Sequence, residues 1–368
     1  MRVVSKSGPA MFIVSLLLLL ESPVSGQSQD LLALDDPLVQ SVMQVQDAYT
    51  PLFMSQPAVL GTATGLGDDG EVAIIVFVNE DSPESARTAR GFATEVKGVK
   101  VWVRLTSPFL ALKGGPGGGG GGGGGADHLG IQTPPIQLGC SGGWGQDLAN
   151  GYCCGGTLGA LIQVGGQQRI LSNYHVFEAD IVNGGNGTTA QTGDPIIQPG
   201  LIDVNCNAGN SQNVATLVKS SALPGNNVDC SSANIISGMV RTDGAILEVG
   251  VLSSATTGAS VNQAVKKSGR TSGLTRSKVS GLNATISVSY ENECAGGAAF
   301  TRTFTGQILI SNKGTKFLKG GDSGSLMVED VTTNPRAVGL LFAGSSSIAV
   351  ANPIGDVLSF FGASMVGN

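Results

Sequence analysis

The chain has 368 residues, of which 41% are hydrophobic and only 13% charged, with a formal net charge of −6. That length suits about two domains. With acidic groups in excess and no long basic run, nucleic-acid binding and a polybasic membrane anchor both lack their electrostatic footprint. The surface is left to Ser, Thr, Asn, Gln and Gly.

Residues 1–26 read as a secretion signal. Arg2 and Lys6 give a positive start, an apolar run follows over 11–20, and Pro23, Val24, Ser25 and Gly26 offer small residues before Gln27. The run is far short of the about 20 residues that cross a bilayer. A retained signal anchor is the rival reading. The mature protein is expected to be secreted and free of membrane.

Residues 27–113 suggest a small α+β unit. A helix is expected over 36–49, with Leu38, Val42 and Val45 on one side. Strands are expected at 59–66 and 71–78 around the turn Gly67-Asp68-Asp69-Gly70. A helix over 82–95 and a strand over 99–105 follow. The unit carries no His and no Cys.

Residues 114–125 are glycine except for Pro116. Ordering such a run costs entropy that no side chain offsets, so it predicts a flexible linker, taken here as 114–128. From 129 to 368 the pattern is all-β. Short apolar runs recur at 157–164, 169–171, 214–218, 245–249, 278–288, 306–310, 325–328 and 337–342, between Gly/Ser/Asn-rich turns. Only 353–361 looks helical. Asn186 and Asn283 open N-glycosylation sequons.

All six cysteines (Cys140, Cys153, Cys154, Cys206, Cys230 and Cys294) follow the glycine run. An even count in a secreted chain favours disulfides, and the adjacent Cys153 and Cys154 should take different partners. With no CxxC and only two histidines, a metal site is not expected.

A serine needs a base to activate it, a group to orient that base, and donors for the oxyanion. Gly320-Gly321-Asp322-Ser323-Gly324-Ser325 lets the backbone turn sharply and brings the N–H groups of Gly321 and Ser323 to one spot. In a chain with 56 glycines the same string also reads as a plain Gly/Ser turn. The base must be His128 or His175. His128 falls in the expected linker, where nothing fixes its orientation. His175 closes the apolar strand Ile170-Leu171-Ser172-Asn173-Tyr174, and is the base expected here.

Leu171-Ser172-Asn173-Tyr174-His175-Val176 resembles the histidine strand of chymotrypsin-like (trypsin-fold) serine peptidases, and Gly321-Asp322-Ser323-Gly324 resembles their serine motif. Gly269-Arg270-Thr271-Ser272-Gly273 is similar to a strand-turn of the bacterial, streptogrisin-like branch. The segment 338–344 is similar to the strand that borders the first specificity pocket. The resemblance spans 155–355 and leaves the N-terminal part uncovered.

This resemblance implies two six-stranded β-barrels and a secreted serine endopeptidase acting on protein or peptide through an acyl-enzyme, with no cofactor. A catalytically weak binding or scaffold protein of the same fold, or an esterase with the same triad, are the alternatives. The family template separates His from Asp by roughly 45 residues and Asp from Ser by roughly 93. Asp229 stands 54 after His175 and 94 before Ser323; Asp243 gives 68 and 80, and Asp203 gives 28 and 120. Spacing favours Asp229, with Asp243 as the alternative because an apolar strand follows it. Phe317, six residues before the serine, would sit at the pocket base, with Ala343, Gly344 and Ser345 along its wall. That implies an apolar or small side chain at the cleavage site. No Arg/Lys-Ile-Val-Gly activation site follows the glycine run, and Asp322 has no evident partner. In such a protease the N-terminal part is a folding aid, an inhibitor or an unrelated accessory unit, and an intramolecular contact with it is the partner expected.

Overall fold

The computed structural model describes residues 31–111, 125–149, 152–178, 188–290, 300–314 and 316–368. The expected signal, most of the linker, Asn186 and Cys294 lie outside the described residues. Among the described residues two large sheets dominate, one of eight strands and one of eleven. The expected pair of six-stranded barrels is not the partition observed. Six strands of the larger sheet do close on themselves. Ala264–Gly269 pairs with Leu326–Glu329, which leads through Ala337–Gly344, Ile348–Pro353 and Phe300–Ser311 to Gly273–Tyr290. That last strand then pairs back onto Ala264–Gly269. The eight-stranded sheet shows no such closing pair among the described residues.

The eleven-stranded sheet is larger than the ring because the N-terminal elements join it. Val59–Leu66 pairs antiparallel with the long strand Gly273–Tyr290, and Val72–Asn79 and Val99–Thr106 follow outward. The expected strands of this part exist, but they extend the ring edge to edge. Ala63, Ala73, Ile75 and Phe77 sit in the same buried cluster as the two large sheets. The helix Pro37–Met54 begins where Asp36 accepts the amides of Leu38 and Val39 at 2.8 and 3.3 Å, with Pro37 in its first turn. Its buried Gln46 donates to the Asn283 carbonyl at 2.8 Å, tying it to the long strand. Asn283 itself donates to Asp47 at 2.8 Å, so its sequon amide is engaged in the folded chain.

The last residues of the long strand, from Leu282 onward, alternate strictly. Ala284, Ile286, Val288 and Tyr290 are buried while the residues between them are half-exposed. Its last inward residue, Tyr290, reaches the site described next.

Cys153 and Cys206 form a disulfide, and Cys154 is also disulfide-bonded. Cys140 and Cys230 are free, buried thiols, so full pairing of the cysteines is not what the structure holds. Burial pushes the Cys140 thiol up to about 12, which keeps it unreactive. No described helix is long and apolar enough to cross a membrane.

Candidate functional site

The histidine strand Gln167–Ser172 pairs antiparallel with Ser231–Ile235, with Ser172 opposite Ser231. That register carries the residues just beyond each end past one another, so His175 and Asp229 meet although 54 positions separate them. His175 lies in a single helical turn, Tyr174–Phe177, and Asn173 pins the approach by donating to the Asp229 carbonyl at 2.7 Å.

His175 Nδ1 stands 2.6 Å from Asp229 Oδ2, and the two side chains are 1% and 0% exposed. The His175 amide also donates to Asp229 Oδ1 at 3.3 Å. Tyr290 donates its hydroxyl to Asp229 Oδ2 at 2.8 Å, and the Asp229 amide donates to Asn352 Oδ1 at 2.9 Å. Burial, then the Asp229 charge, raises the Tyr290 phenol well above its ordinary range, so it stays a proton donor to the carboxylate. A carboxylate facing Nδ1 holds the proton there and leaves the lone pair on Nε2. His175 Nε2 is buried and has no hydrogen-bond partner among the described residues.

Ser323 lies in the turn ahead of Leu326–Glu329 and is fully buried. Gly321 and Gly324 both hold φ of +91°, which side chains resist. A Cβ on Gly324 would collide with Ser172 Oγ and Thr157 O. The serine turn is therefore packed directly on the end of the histidine strand. Thr157 donates its amide to the Ser323 carbonyl at 2.9 Å from the same side. Ser323 Oγ donates to Phe342 O at 3.4 Å and makes no hydrogen bond to His175 Nε2.

Asp243 pairs with Arg241 on the surface, and Asp203 with Arg270 at 2.5 Å; neither faces His175. His128 departs from its expectation. It is buried, with Nδ1 2.8 Å from Gly139 O and Nε2 2.8 Å from Glu248 Oε2, so both ring nitrogens are fixed by protein oxygens. Phe317 is buried in an apolar cluster with Leu318, Ile310 and Leu341. Ala343 and Gly344 are buried, and Ser345 Oγ is 2.7 Å from Thr106 Oγ1.

Sequence reasoning missed three contributors. Tyr290 was visible only as the end of an alternating strand, and Asn352 carried no local signal. The third is the short strand Phe109–Ala111, next to the glycine run. Leu110 and Ala111 pair antiparallel with Gly344 and Ala343, while Phe109 and Leu110 pair parallel with Val288 and Ser289. This strand thus lies between the residue next to Tyr290 and the residue next to Phe342. Phe109 anchors it, buried and edge-on to Phe77 at 5.9 Å.

Among the described residues no group of three or more His, Cys, Asp or Glu is placed to hold a metal ion. The Nal1 C-terminal domain family matches residues 210–351. No curated relative matches the chain. Among solved structures the chain is similar to a glutamic acid-specific serine protease, at 17% identity and a TM-score of 0.39, over 62% of this chain and 100% of the other. It is also similar to Thermobifida fusca protease A, at 20% identity and 0.37, over 60% and 95%. Cellulomonas bogoriensis chymotrypsin follows, at 21% and 0.36, over 58% and 91%.

Proposed function

We propose that the chain is a secreted serine endopeptidase of the trypsin fold, with Ser323 as nucleophile, His175 as general base and Asp229 as the orienting acid. The observation that carries this reading is the buried His175–Asp229 pair, whose second ring nitrogen has no hydrogen-bond partner among the described residues, on a strand whose Ser172 packs against the serine turn. A base held in one tautomer, with its lone pair unspent, suits proton abstraction.

Ser323 Oγ would turn from Phe342 O toward His175 Nε2, a tightening that often waits for substrate. Its oxygen then bonds to the scissile carbonyl carbon while its proton passes to Nε2. The carbonyl oxygen, now charged, is held by the amides of Gly321 and Ser323. His175 returns the proton to the leaving amine as the carbon–nitrogen bond breaks. A water molecule repeats the sequence and frees the acid and the serine.

An extended peptide would pair with the edge offered by Ala343 and Gly344, ahead of Phe317 and Ser345. Phe109–Ala111 already occupies that edge. The intact chain is therefore a latent form, and its N-terminal part acts as the inhibitor. The filled edge also favours a second reading, a trypsin-fold binding protein with little turnover.

Digestion of a peptide library by the wild type and by Ser323→Ala, with fluorophosphonate labelling in parallel, separates these readings. Once the N-terminal strand is displaced, the peptidase reading expects cleavage and a labelled Ser323, both absent in the variant. A chain that stays unlabelled after the N-terminal strand is displaced is a binding protein. In the same assay Tyr290→Phe should label about tenfold more slowly, the scale of one lost hydrogen bond to a charged group. An unchanged rate would remove Tyr290 from the mechanism.

A further inference from the structure

We infer that Lys267 is a positioning residue for the serine turn: an internal ammonium that holds Asp322 and thereby orders residues 319–324. The inference rests on the peptidase reading above.

Lys267 and Asp322 are both 0% exposed, with Nζ 3.2 Å from Asp322 Oδ2. Nζ also donates to Ser272 Oγ at 2.5 Å and to Gly273 O at 3.1 Å. The Asp322 carboxylate is saturated. Oδ1 accepts the amides of Thr271 and Ser272 at 2.9 and 3.0 Å. Oδ2 accepts Ser272 Oγ at 2.5 Å and the Lys319 amide at 3.0 Å. A buried carboxylate with this many donors fixes the peptide planes on either side of it. Those planes carry Gly321 and Ser323.

Lys267 can do this because its strand sits between the two elements concerned. Lys267 lies opposite Met327, on the strand that leaves the serine turn, and opposite Thr275 on the long strand. The neighbouring cation Arg270 is committed elsewhere, to Asp203 at 2.5 and 2.7 Å. Among the described residues Lys267 is the cation paired with Asp322.

Deprotonation would release this anchor. Burial lowers the Lys267 ammonium below the ordinary lysine range, against the opposing pull of Asp322 and Glu248 and with the help of Lys319. Ser323 labelling should therefore fall as pH climbs toward that range. The linkage runs the other way for stability. Between the lowered value and the unfolded one, the unfolded chain binds more protons at this lysine, so its contribution to stability rises with pH. Loss of labelling without loss of folding marks a positioning role.

The test compares wild type, Lys267→Met, Lys267→Arg and the double variant Lys267→Met/Asp322→Asn. Lys267→Met should label at least about tenfold more slowly, a loss of the order of one charge-assisted contact. Lys267→Arg should keep the charge and move the alkaline fall to higher pH. The double variant removes the unpaired buried carboxylate, so it should recover thermal stability while still labelling slowly. Labelling of Lys267→Met at the wild-type rate would overturn the inference. So would recovery of rate together with stability in the double variant. Amide hydrogen exchange over 319–325 reads the anchor without any chemistry, and is independent of whether the peptidase reading holds. Faster exchange in the double variant is expected; equal protection would overturn the proposal even for a chain that never labels.

Discussion

Asp229→Asn is expected to slow acylation of Ser323 by about ten-thousand-fold, while the chain remains folded. The carboxylamide is close in size and can keep the backbone contacts to Asn173 and Asn352, since those use the Asp229 carbonyl and amide. It cannot keep the tautomer. An amide NH₂ turned toward His175 Nδ1 donates, so Nδ1 must accept and the proton moves to Nε2. The base then presents a hydrogen where its lone pair is required. The measurement is the pseudo-first-order rate of fluorophosphonate labelling, with thermal unfolding as the control. A rate within about tenfold of wild type would mean that the His175–Asp229 pair is structural.

The opposite sign is expected for Leu110→Pro. Leu110 is the central residue of the three-residue strand Phe109–Ala111 and pairs on both sides, with Gly344 and with Ser289. Proline removes its N–H and fixes φ, which a strand paired on both edges does not tolerate. Each ladder bond contributes about 1 kcal/mol net, and each 1.4 kcal/mol is about a factor of ten in occupancy. Labelling and peptide cleavage should rise about tenfold or more. Phe109, seated against Phe77, and the pairing of Val59–Leu66 remain to hold the rest of the N-terminal part. An unchanged rate, with the fold retained, would show that the strand does not gate the site.

Much of this is legible in the sequence. The helix Pro37–Met54 is legible in its apolar spacing, although Val39 is buried where Leu38 is exposed, and the apolar run at 278–288 falls within the strand Gly273–Tyr290. The family's spacing favours Asp229 over Asp243, and Asp229 is the carboxylate in contact with His175. What resisted reading is what depends on partners far along the chain. Nothing local in Val59–Leu66 says that it will pair with residues more than two hundred positions later. Hence the sequence suggests a small N-terminal unit, and the structure shows its strands paired into the eleven-stranded sheet. Phe109–Ala111 is too short to show a period, and beside a glycine run it reads as the end of a unit. Cys140 and Cys230 could not be told from disulfide cysteines by count, because burial of a free thiol is decided by packing. His128 resists reading for a related reason. Its two acceptors, Gly139 O and Glu248, are brought to it by the fold.

The seam between Val59–Leu66 and Gly273–Tyr290 sets what a protease nick in the glycine run can achieve. The two fragments would still share a hydrogen-bonded ladder and a common apolar interior through Ala63, Ile75 and Phe77. Severing the backbone would yield a two-chain particle that travels as one through gel filtration. Freeing the N-terminal fragment demands unzipping that ladder as well.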